Sequence, residues 1–545
     1  MKKVIIPLIL ALLIAYTGFW YFKASEAKTL VAKHLKESEN QSNIAYDDLK
    51  IAGFPFSYKI EIPNLKVTPQ NDSQIRQIEN HGNVTVATNL NGSSYWVERS
   101  GDLHLTFKNN DTIVEKGNSS VEFEVFNSDQ WKSINHPFED LPSFFSKNTI
   151  FIPSITILAD QLGNLTQDKI EGLKNIKGAK ISGDHLVISY DSPTNEKIAE
   201  INDYNLALNR SPTENHVEYA TSLNLKDYQT FPALDKYLNL VGNIETPLFN
   251  KVTSFSSPKN NLTFEAEAKL PKDLQVFSLL QLPELNINVK KLSFDNPESN
   301  FKGNALVSIT DKGENEKRIH FDIYKNLTVS KAGYENYKKQ TLEAIETIAK
   351  KDPQSPEGQK WLLLLQCCKD DIEKVIPHYD QLSPIVFKIN LDLDVDRNKN
   401  SYNLNVSNLD FTTKEFGVTS GGKMELANME PNGKYAFELT NYKTLIQNTI
   451  DYYNSLIPLF MAVENNQPDE KVSPVSKKTI DNINSFLQRI SDQPESNSNN
   501  ISITINFPNS QQVTVGKLDL QSFIAEWDKL MNSLEDDGQT KNTDL

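Results

Sequence analysis

The sequence predicts an α+β protein: large antiparallel β-sheets with amphipathic helical hairpins, preceded by one transmembrane helix. Three observations carry this prediction. Most of the chain consists of segments in which apolar and polar residues alternate, as in antiparallel strands with one solvated face. Several longer segments instead repeat apolar residues at helical spacing. One uncharged run at the N terminus is long enough to cross a bilayer.

This uncharged run, residues 4–22, contains 19 residues and would span about 29 Å as a helix, close to the thickness of a hydrocarbon core. Aromatic residues crowd its far end and Lys23 follows, as at a membrane interface. We predict an uncleaved signal anchor, because the run is longer than the apolar part of a usual signal peptide. A signal peptide cleaved near residues 25–27 is the alternative. In both cases we expect the rest of the chain to be exported.

The next segments extend the predicted architecture. Residues 1–36 are predicted to form the transmembrane anchor and a helical stalk. The apolar stripe of this stalk comprises Ala27, Leu30, Val31 and Leu35. Residues 37–330 are predicted to form a β-rich periplasmic region of half-buried strands. Representative segments are DLHLTFK from residue 102, VEFEVF from 121, NLTFEAEAK from 261 and RIHFDIY from 318. Such a region would give a sheet with one apolar face.

Residues 51–62, IAGFPFSYKIEI, contain a change in the parity of the apolar alternation at Gly53. After this glycine the apolar residues fall on even positions, namely Phe54, Phe56, Tyr58, Ile60 and Ile62. A β-bulge at Gly53 would keep that set on the core side, and Pro55 would confine the site to an edge or the start of a strand. We therefore interpret one short motif as architectural: Gly53, Phe54, Pro55 and Phe56.

A second motif recurs, in which an apolar residue and a proline precede a new segment of alternating apolar and polar residues. It occurs as IPNLKV from residue 62, IPSITI from 152 and LPELNINV from 282. Proline at the first residue of a strand, or on an edge, removes no ladder hydrogen bond and prevents pairing with another chain. We interpret these prolines as such positions, with coincidence as the alternative.

Helical spacing returns in the second half of the chain. Residues 331–381 are predicted to form a helical hairpin insert whose second helix starts at Ser355. Residues 382–545 are predicted to form a second β region with a helical hairpin and a C-terminal helix. Its strands include residues 385–395 and a hairpin that turns at 431–433, Pro-Asn-Gly.

Composition limits the classes of function. The net charge of −15 argues against broad electrostatic binding of nucleic acid or of anionic lipid headgroups, since both need clustered Lys and Arg, and we expect no nucleic-acid partner. The 545 residues suffice for about two to four domains. The two cysteines, Cys367 and Cys368, are adjacent in an apolar helical pattern, so no disulfide framework is predicted. We interpret them as packing thiols, with a redox or metal role as the alternative.

The search for chemistry finds no catalytic, cofactor-binding or metal motif. The eight histidines have no helical zinc spacing, and the sequence contains no Cys-x-x-Cys, G-x-S-x-G, P-loop or G-x-G-x-x-G. Asp392, Asp394 and Asp396 resemble the opening of a calcium loop, but Arg397 occupies its glycine position. We interpret these aspartates as the solvated face of a strand. The sequence therefore predicts a protein that is not an enzyme and has no cofactor and no metal.

A membrane run followed by Gly53-Phe54-Pro55-Phe56, then Ile62-Pro63 and a long one-sided β region, resembles an uncharacterised proteobacterial envelope family, defined only as a domain of unknown function. More distantly, the chain is similar to AsmA-like envelope proteins. That resemblance implies an inner-membrane helix, a curved periplasmic sheet with an apolar groove, and a connection with lipid movement or outer-membrane upkeep. The family offers no functional residue to carry over.

We therefore expect a single-pass protein of the bacterial inner membrane, held by residues 4–22, with its C-terminal bulk in the periplasm. The first functional hypothesis is that the apolar sheet side binds lipid or another hydrophobic envelope molecule. Helices that simply cover that side as a core are the alternative interpretation. The second hypothesis is an envelope assembly or scaffolding factor that binds other envelope proteins through sheet edges or helices.

Overall fold

A computed structural model shows a protein built mostly from antiparallel β-sheet, as the sequence predicts. It describes a few single residues and these ranges: 2–38, 42–69, 74–90, 94–125, 152–157, 176–234, 259–271, 284–313, 316–336, 383–396, 401–427, 430–451, 475–492, 499–509 and 512–539. Side chains of the first helix are described from residue 15 onward. The chain divides into two compact units, residues 1–265 and 266–545.

The first unit begins with helix α1, Lys2–Ser38, and continues with twelve strands. They are β1 Ser42–Ala45, β2 Lys50–Ala52, β3 Ser57–Pro63, β4 Lys66–Pro69, β5 Ile75–His81, β6 Asn83–Asn89, β7 Ser94–Arg99, β8 Asp102–Phe107, β9 Thr112–Val125, β10 Ile176–Tyr190, β11 Lys197–Pro212 and β12 His216–Thr230. Strand β13, Asn260–Pro271, spans the boundary between the units. All the strand pairs of the first unit are antiparallel.

Strand β9 joins two ladders in the first unit. Its N-terminal part pairs with β8 and its C-terminal part pairs with β7, while its other edge pairs with β10. The two ladders continue as β8–β5–β4–β1 and as β7–β6–β3–β2. At the corner in β9, Gly117 has φ +113°, and a Cβ there would lie 2.6 Å from the carbonyl oxygen of His185. The bend therefore depends on a residue without a side chain.

Helix α1 packs one stripe of its surface into the core of this unit. The buried members of the stripe are Trp20, Ala24, Ala27, Val31 and Leu35. Their spacing of three, four and seven residues places them on one helix face. The two alanines allow the helix backbone to approach the sheet closely. The segment predicted as a stalk is thus part of the folded unit, since its stripe shares a core with β3, β5 and β8.

A buried ion pair lies at the bend of the same sheet. Arg99 on β7 and Glu115 on β9 are both fully buried, with Nη2 and Oε2 3.7 Å apart. Arg99 Nε donates to the carbonyl oxygen of Pro153 at 2.9 Å, and Glu115 Oε1 accepts from Ser154 Oγ and Thr156 N, each at 2.9 Å. The pair therefore holds residues 152–157 against the sheet. In this segment, residues 155–157 are helical, so the strand predicted for IPSITI is wrong here.

In addition to the helical residues 331–336 and 442–451, the described part of the second unit contains ten strands and two helices. They are β14 Leu285–Asp295, β15 Ser299–Gly313, β16 Glu316–Val329, β17 Ile385–Asp396, β18 Ser401–Thr412, β19 Gly417–Ala427, β20 Glu430–Thr440, α2 Lys477–Ile490, β21 Ile501–Asn509, β22 Gln512–Val515, β23 Leu518–Asp519 and α3 Leu520–Gln539. From β14 to β23, each strand pairs antiparallel with the next.

The sheet of the second unit is continuous between the two strands that flank the predicted helical insert in sequence. Strand β16 pairs directly with β17, from Glu316 opposite Asp396 to Leu327 opposite Ile385. The segments predicted as separate β regions, up to residue 330 and from 382, therefore meet in one sheet. Within the insert, residues 331–336 are helical, whereas Ser355 and the two cysteines lie outside the described residues.

The hairpin of β19 and β20 turns earlier than the sequence predicts. Ala427 lies opposite Glu430, so the turn precedes Pro431, and Gly433 belongs to β20. Pro431 lies beyond the first pair between β20 and β21, Gly433 opposite Phe507, so its missing N–H removes no bond to β21. The predicted turn at 431–433 is wrong because Pro-Asn-Gly lies in the first residues of β20.

Helices α2 and α3 cover one end of this sheet. Ser476 caps α2, accepting a hydrogen bond from Thr479 N at 3.2 Å. Their buried core with the strands includes Phe486, Ile490, Ile501, Ile503, Val515 and Leu530. In the part of the chain that the structure describes, no helix is long and apolar enough to cross a membrane. Of the predicted span 4–22, the side chains of 4–14 lie outside the described residues.

The buried ion pair predicts a large effect of removing one partner. Arg99→Met leaves the Glu115 carboxylate buried without its cation, so we expect the free energy of unfolding to fall by about 3 to 5 kcal/mol. Thermal or urea unfolding of the purified full chain measures this loss. Lys59→Met is the control, because the Lys59–Glu98 pair is partly exposed and its loss costs about 1 kcal/mol or less.

A double variant separates the charge from the packing. Arg99→Met combined with Glu115→Gln removes both charges, and we expect it to recover part of the stability lost in the single variant. A double variant no more stable than Arg99→Met would show that the uncompensated carboxylate is not the cause.

Candidate functional site

The four motif residues form the turn between β2 and β3. Ala52 pairs with Lys59 across the hairpin, and Ser57 N donates to the carbonyl oxygen of Gly53 at 3.0 Å. Gly53 has φ +96°, and a Cβ there would lie 2.7 Å from the carbonyl oxygen of Ser57. The predicted β-bulge is therefore wrong, because the parity of the apolar residues changes where the chain reverses direction.

The turn divides the apolar set that the sequence places on one face. Tyr58, Ile60 and Ile62 are buried in the core, as expected. Phe54 and Phe56 lie in the turn itself and are 51% and 80% exposed. Alternation continues through these positions in the sequence, but a turn residue has no sheet face, so its parity does not determine its burial.

Two residues of α1 hold this turn, and the sequence analysis did not single them out. Tyr16 Oη donates to the carbonyl oxygen of Pro55, and Trp20 Nε1 donates to that of Ser57 at 3.1 Å. The Trp20 ring meets the Phe54 ring edge-on, with centroids 5.2 Å apart. The signal in the sequence is the spacing of two hydrogen-bonding aromatics four residues apart, which puts both on one helix face.

The second unit carries the other candidate site, a continuous apolar face across strands β14 to β19. Its side chains stand directly opposite one another in rows that cross the strands. One row contains Leu285, Ile309, Ile319, Leu393, Leu404 and Met424. The next contains Ile287, Val307, Phe321, Leu391 and Val406. A third contains Val289, Ala305, Ile323, Ile389 and Leu409. We call these three rows the apolar face.

The apolar face differs from the core of the first unit in its exposure. Ile309, Ile319 and Val406 are buried, but Ile287 and Met424 are 39% and 37% exposed. Nearly all its other members are half-buried. The cluster around Ile309 and Ile319 contains only strand residues among those the structure describes, whereas α2 and α3 pack against the β20–β22 end. Apolar surface is therefore available on this face.

The opposite face of the same sheet is polar, and the charges around Asp392 and Asp394 are paired. Asp394 accepts two bonds from Arg318, Nε to Oδ1 at 2.7 Å and Nη2 to Oδ2 at 2.8 Å, and a third from Lys312 at 2.9 Å. These bonds, that of Arg318 first, lower the pKa of Asp394 to about 2. Asp392 shares a 2.8 Å hydrogen bond with Nδ1 of His320. These two aspartates thus interact with cationic or imidazole side chains across the strands.

A cavity of about 700 Å³ lies along this polar face. Its polar lining includes Asn403, Asn405, Lys423, Glu425 and Lys434. Cationic, anionic and amide groups alternate there. Among the described residues, no group of three His, Cys, Asp or Glu side chains is placed to hold a metal ion. The cavity therefore offers hydrogen bonding to a polar molecule, and two of its carboxylates, Asp392 and Asp394, are already engaged.

Comparison with known proteins finds no family model and no curated protein that matches the chain. The resemblance to a proteobacterial envelope family and to AsmA-like proteins therefore stays a prediction.

The Arg318–Asp394 pair predicts a pH-dependent contribution to stability. Because the folded state lowers the pKa of Asp394 from 3.8 to about 2, the contribution is complete above pH 4 and is lost as the pH falls through 2. We expect Asp394→Asn to cost about 1 kcal/mol at pH 7, since the pair is partly solvent-screened. Urea unfolding of the full chain at a series of pH values measures the difference.

The control is Asp322→Asn, at an exposed position on the same face of β16. It removes a carboxylate without disturbing the two hydrogen bonds from Arg318 to Asp394. A cost of Asp394→Asn that stays constant down to pH 2 would contradict the assignment.

Proposed function

We propose that this protein is a single-pass protein of the bacterial inner membrane whose second unit binds lipid, or another hydrophobic envelope molecule, on the apolar face. The observation that carries the proposal is the half-buried state of three continuous apolar rows. When an apolar ligand displaces water from half-buried apolar side chains, each Å² of apolar surface removed from water stabilises the complex by roughly 25 cal/mol. The proposal is one of binding and contains no catalytic step.

The dimensions of the apolar face suit an acyl chain. The row from Leu285 to Met424 crosses six strands, β14 to β19. At a strand spacing of about 4.8 Å, such a row is about 24 Å long. Half of a hydrocarbon core about 30 Å thick is about 15 Å, so the row is longer than one leaflet's acyl region. An acyl chain laid along it would contact apolar side chains over its whole length.

Membrane anchoring by residues 4–22 rests on the sequence. The run has 19 uncharged residues, and α1 extends from Lys2 to Ser38 without interruption. Placement of the bulk of the chain in the periplasm rests on the expected export behind this run. An anchored protein would keep the apolar face within reach of membrane lipid.

A second candidate function, binding of other envelope proteins, is favoured by the outer surface of α3. Four exposed apolar residues lie at spacings of four, three and four: Leu520, Ile524, Trp527 and Met531. This spacing puts them on one side of the helix, while Leu530 packs against the unit. Such a stripe matches the anchors of a helix that docks in a groove of a partner.

Photocrosslinking tests lipid binding on the apolar face. A benzophenone amino acid at Ile287 in the full chain, irradiated in membranes, is expected to yield an adduct with the mass of a phospholipid. The same substitution at Asn286 is the control, because adjacent residues of a strand point to opposite faces. Mass spectrometry of the intact protein measures both. No acyl adduct at Ile287, or equal adducts at both positions, would contradict the proposal.

The same chemistry tests the stripe on α3. A benzophenone side chain at Ile524 is expected to crosslink to another envelope protein in intact cells, seen as a shifted band on a denaturing gel. Ala525 is the matched control, exposed on the same helix but outside the stripe. A band shift absent at Ile524, or equally strong at Ala525, would remove the second candidate.

A further inference from the structure

Exposed aromatic side chains lie both on α1 near the end of the uncharged run and on the turn at Gly53–Phe56. Phe19, Tyr21 and Phe22 are exposed on the helix, and Phe54 and Phe56 are exposed on the turn. These five are the most N-terminal of the thirteen large apolar or aromatic side chains that are exposed among the described residues. The other eight are spread over β11, β14, β18, β19 and α3.

The contacts of the turn fix its level along α1. Tyr16 and Trp20 bind the carbonyl oxygens of Pro55 and Ser57, so the turn lies beside residues 16–20 of the helix. The uncharged run ends at Phe22. With a rise of 1.5 Å per residue, Tyr16 lies about 9 Å before that end. The turn is therefore level with the last third of the run, although its first residue, Gly53, follows Phe22 by 31 residues in sequence.

We propose that the turn at Gly53–Phe56 inserts into the membrane interface, with Phe54 and Phe56 in contact with lipid. This rests on the proposed anchoring by residues 4–22. If that run lies in the hydrocarbon core, a turn level with residues 16–20 lies about 3 to 9 Å inside its end, a depth similar to the roughly 5–10 Å to which interfacial elements insert. Aromatic side chains are the residues that favour this depth.

Several polar groups of the turn have internal partners, which is compatible with contact with lipid. A buried or lipid-facing polar group needs an internal partner. Trp20 Nε1 is bonded to Ser57, Tyr16 Oη is bonded to Pro55, and Pro55 itself has no N–H. Ser57 donates from both N and Oγ to the carbonyl oxygen of Gly53, at 3.0 and 3.2 Å. These bonds satisfy three carbonyl oxygens of the turn, and the rings of Phe54 and Phe56 are exposed beside them.

The partner is thus a lipid surface. The turn and the run are held by the same helix, and the helix is buried along Trp20, Ala24 and Ala27 in the core of the unit. This arrangement makes a second, non-helical contact with the bilayer beside the first. Two contacts at different points fix the height and tilt of the first unit over the membrane, which one flexible anchor would not do.

Nitroxide accessibility tests the depth of the turn. The full chain, with Cys367→Ser and Cys368→Ser, carries Phe56→Cys and a spin label in vesicles of phosphatidylethanolamine and phosphatidylglycerol. Phe56 is 80% exposed, so the label disturbs no core contact. We expect relaxation of this label by oxygen, which concentrates in lipid, to exceed relaxation by a water-soluble nickel complex.

Thr194→Cys is the matched control within the same unit. It lies in the exposed loop after β10, where Asp191 N donates to the carbonyl oxygen of Thr112 at 2.8 Å. Thr112 begins β9, whereas the β3–β6–β7 ladder beside the turn reaches β9 at Glu124. The control thus lies at the opposite end of β9 from the turn. We expect the nickel complex to relax a label at Thr194 more than oxygen does.

The outcomes separate the turn from the anchor. Flotation of the protein with the vesicles, resistant to carbonate, reports anchoring. Protein that floats but shows nickel-dominated relaxation at Phe56 would overturn the insertion of the turn and leave the anchor intact. A label at Phe56 that neither oxygen nor nickel reaches would indicate a protein contact and would overturn it as well. Protein that does not float would overturn both.

Discussion

The burial of one stripe of α1 in the first unit is the constraint on which the rest of that unit depends. Trp20, Ala24 and Ala27 contribute to the same core as the strands beneath them. Because the two alanines have almost no side chain, the helix lies close to the sheet, and Trp20 reaches Ser57 beside the turn. The position of the turn is therefore set by α1 through the bonds of Tyr16 and Trp20.

The two units use antiparallel sheet in different ways. The first bends its sheet at positions such as Gly117 and closes the inside with a helix and with the Arg99–Glu115 pair. The second keeps its strands in consecutive order, pairs its charges on one face and leaves the other half-buried. A fully buried core contributes mainly to stability. A half-buried apolar face still has apolar surface in contact with water, and a ligand that covers this surface binds favourably. This difference supports placing binding in the second unit.

Much of the fold could be predicted from the sequence because its signals are local. The alternation in RIHFDIY from residue 318 and in residues 385–395 marks β16 and β17, and their apolar members share one face. The helical spacing of residues 480–490 marks α2, where Phe486 and Ile490 are buried as that spacing requires. The periodicity of the apolar residues agrees with their burial in these elements, because each element has one face toward solvent and one face toward apolar neighbours.

Other features depended on partners distant in the chain. Phe54 and Phe56 continue the alternation of β3, yet they are exposed, because the chain turns there and α1 covers only part of the turn. Arg99 and Glu115 become a buried pair only when β7 and β8 fold against β9. The sequence by itself determined most of the described strands and helices, since local periodicity follows from neighbouring residues, but not the helical residues 155–157 or the turn at Gly53–Phe56. The tertiary structure decided which side chains meet and which stay exposed, because strand pairing and helix docking join residues that the local pattern does not connect.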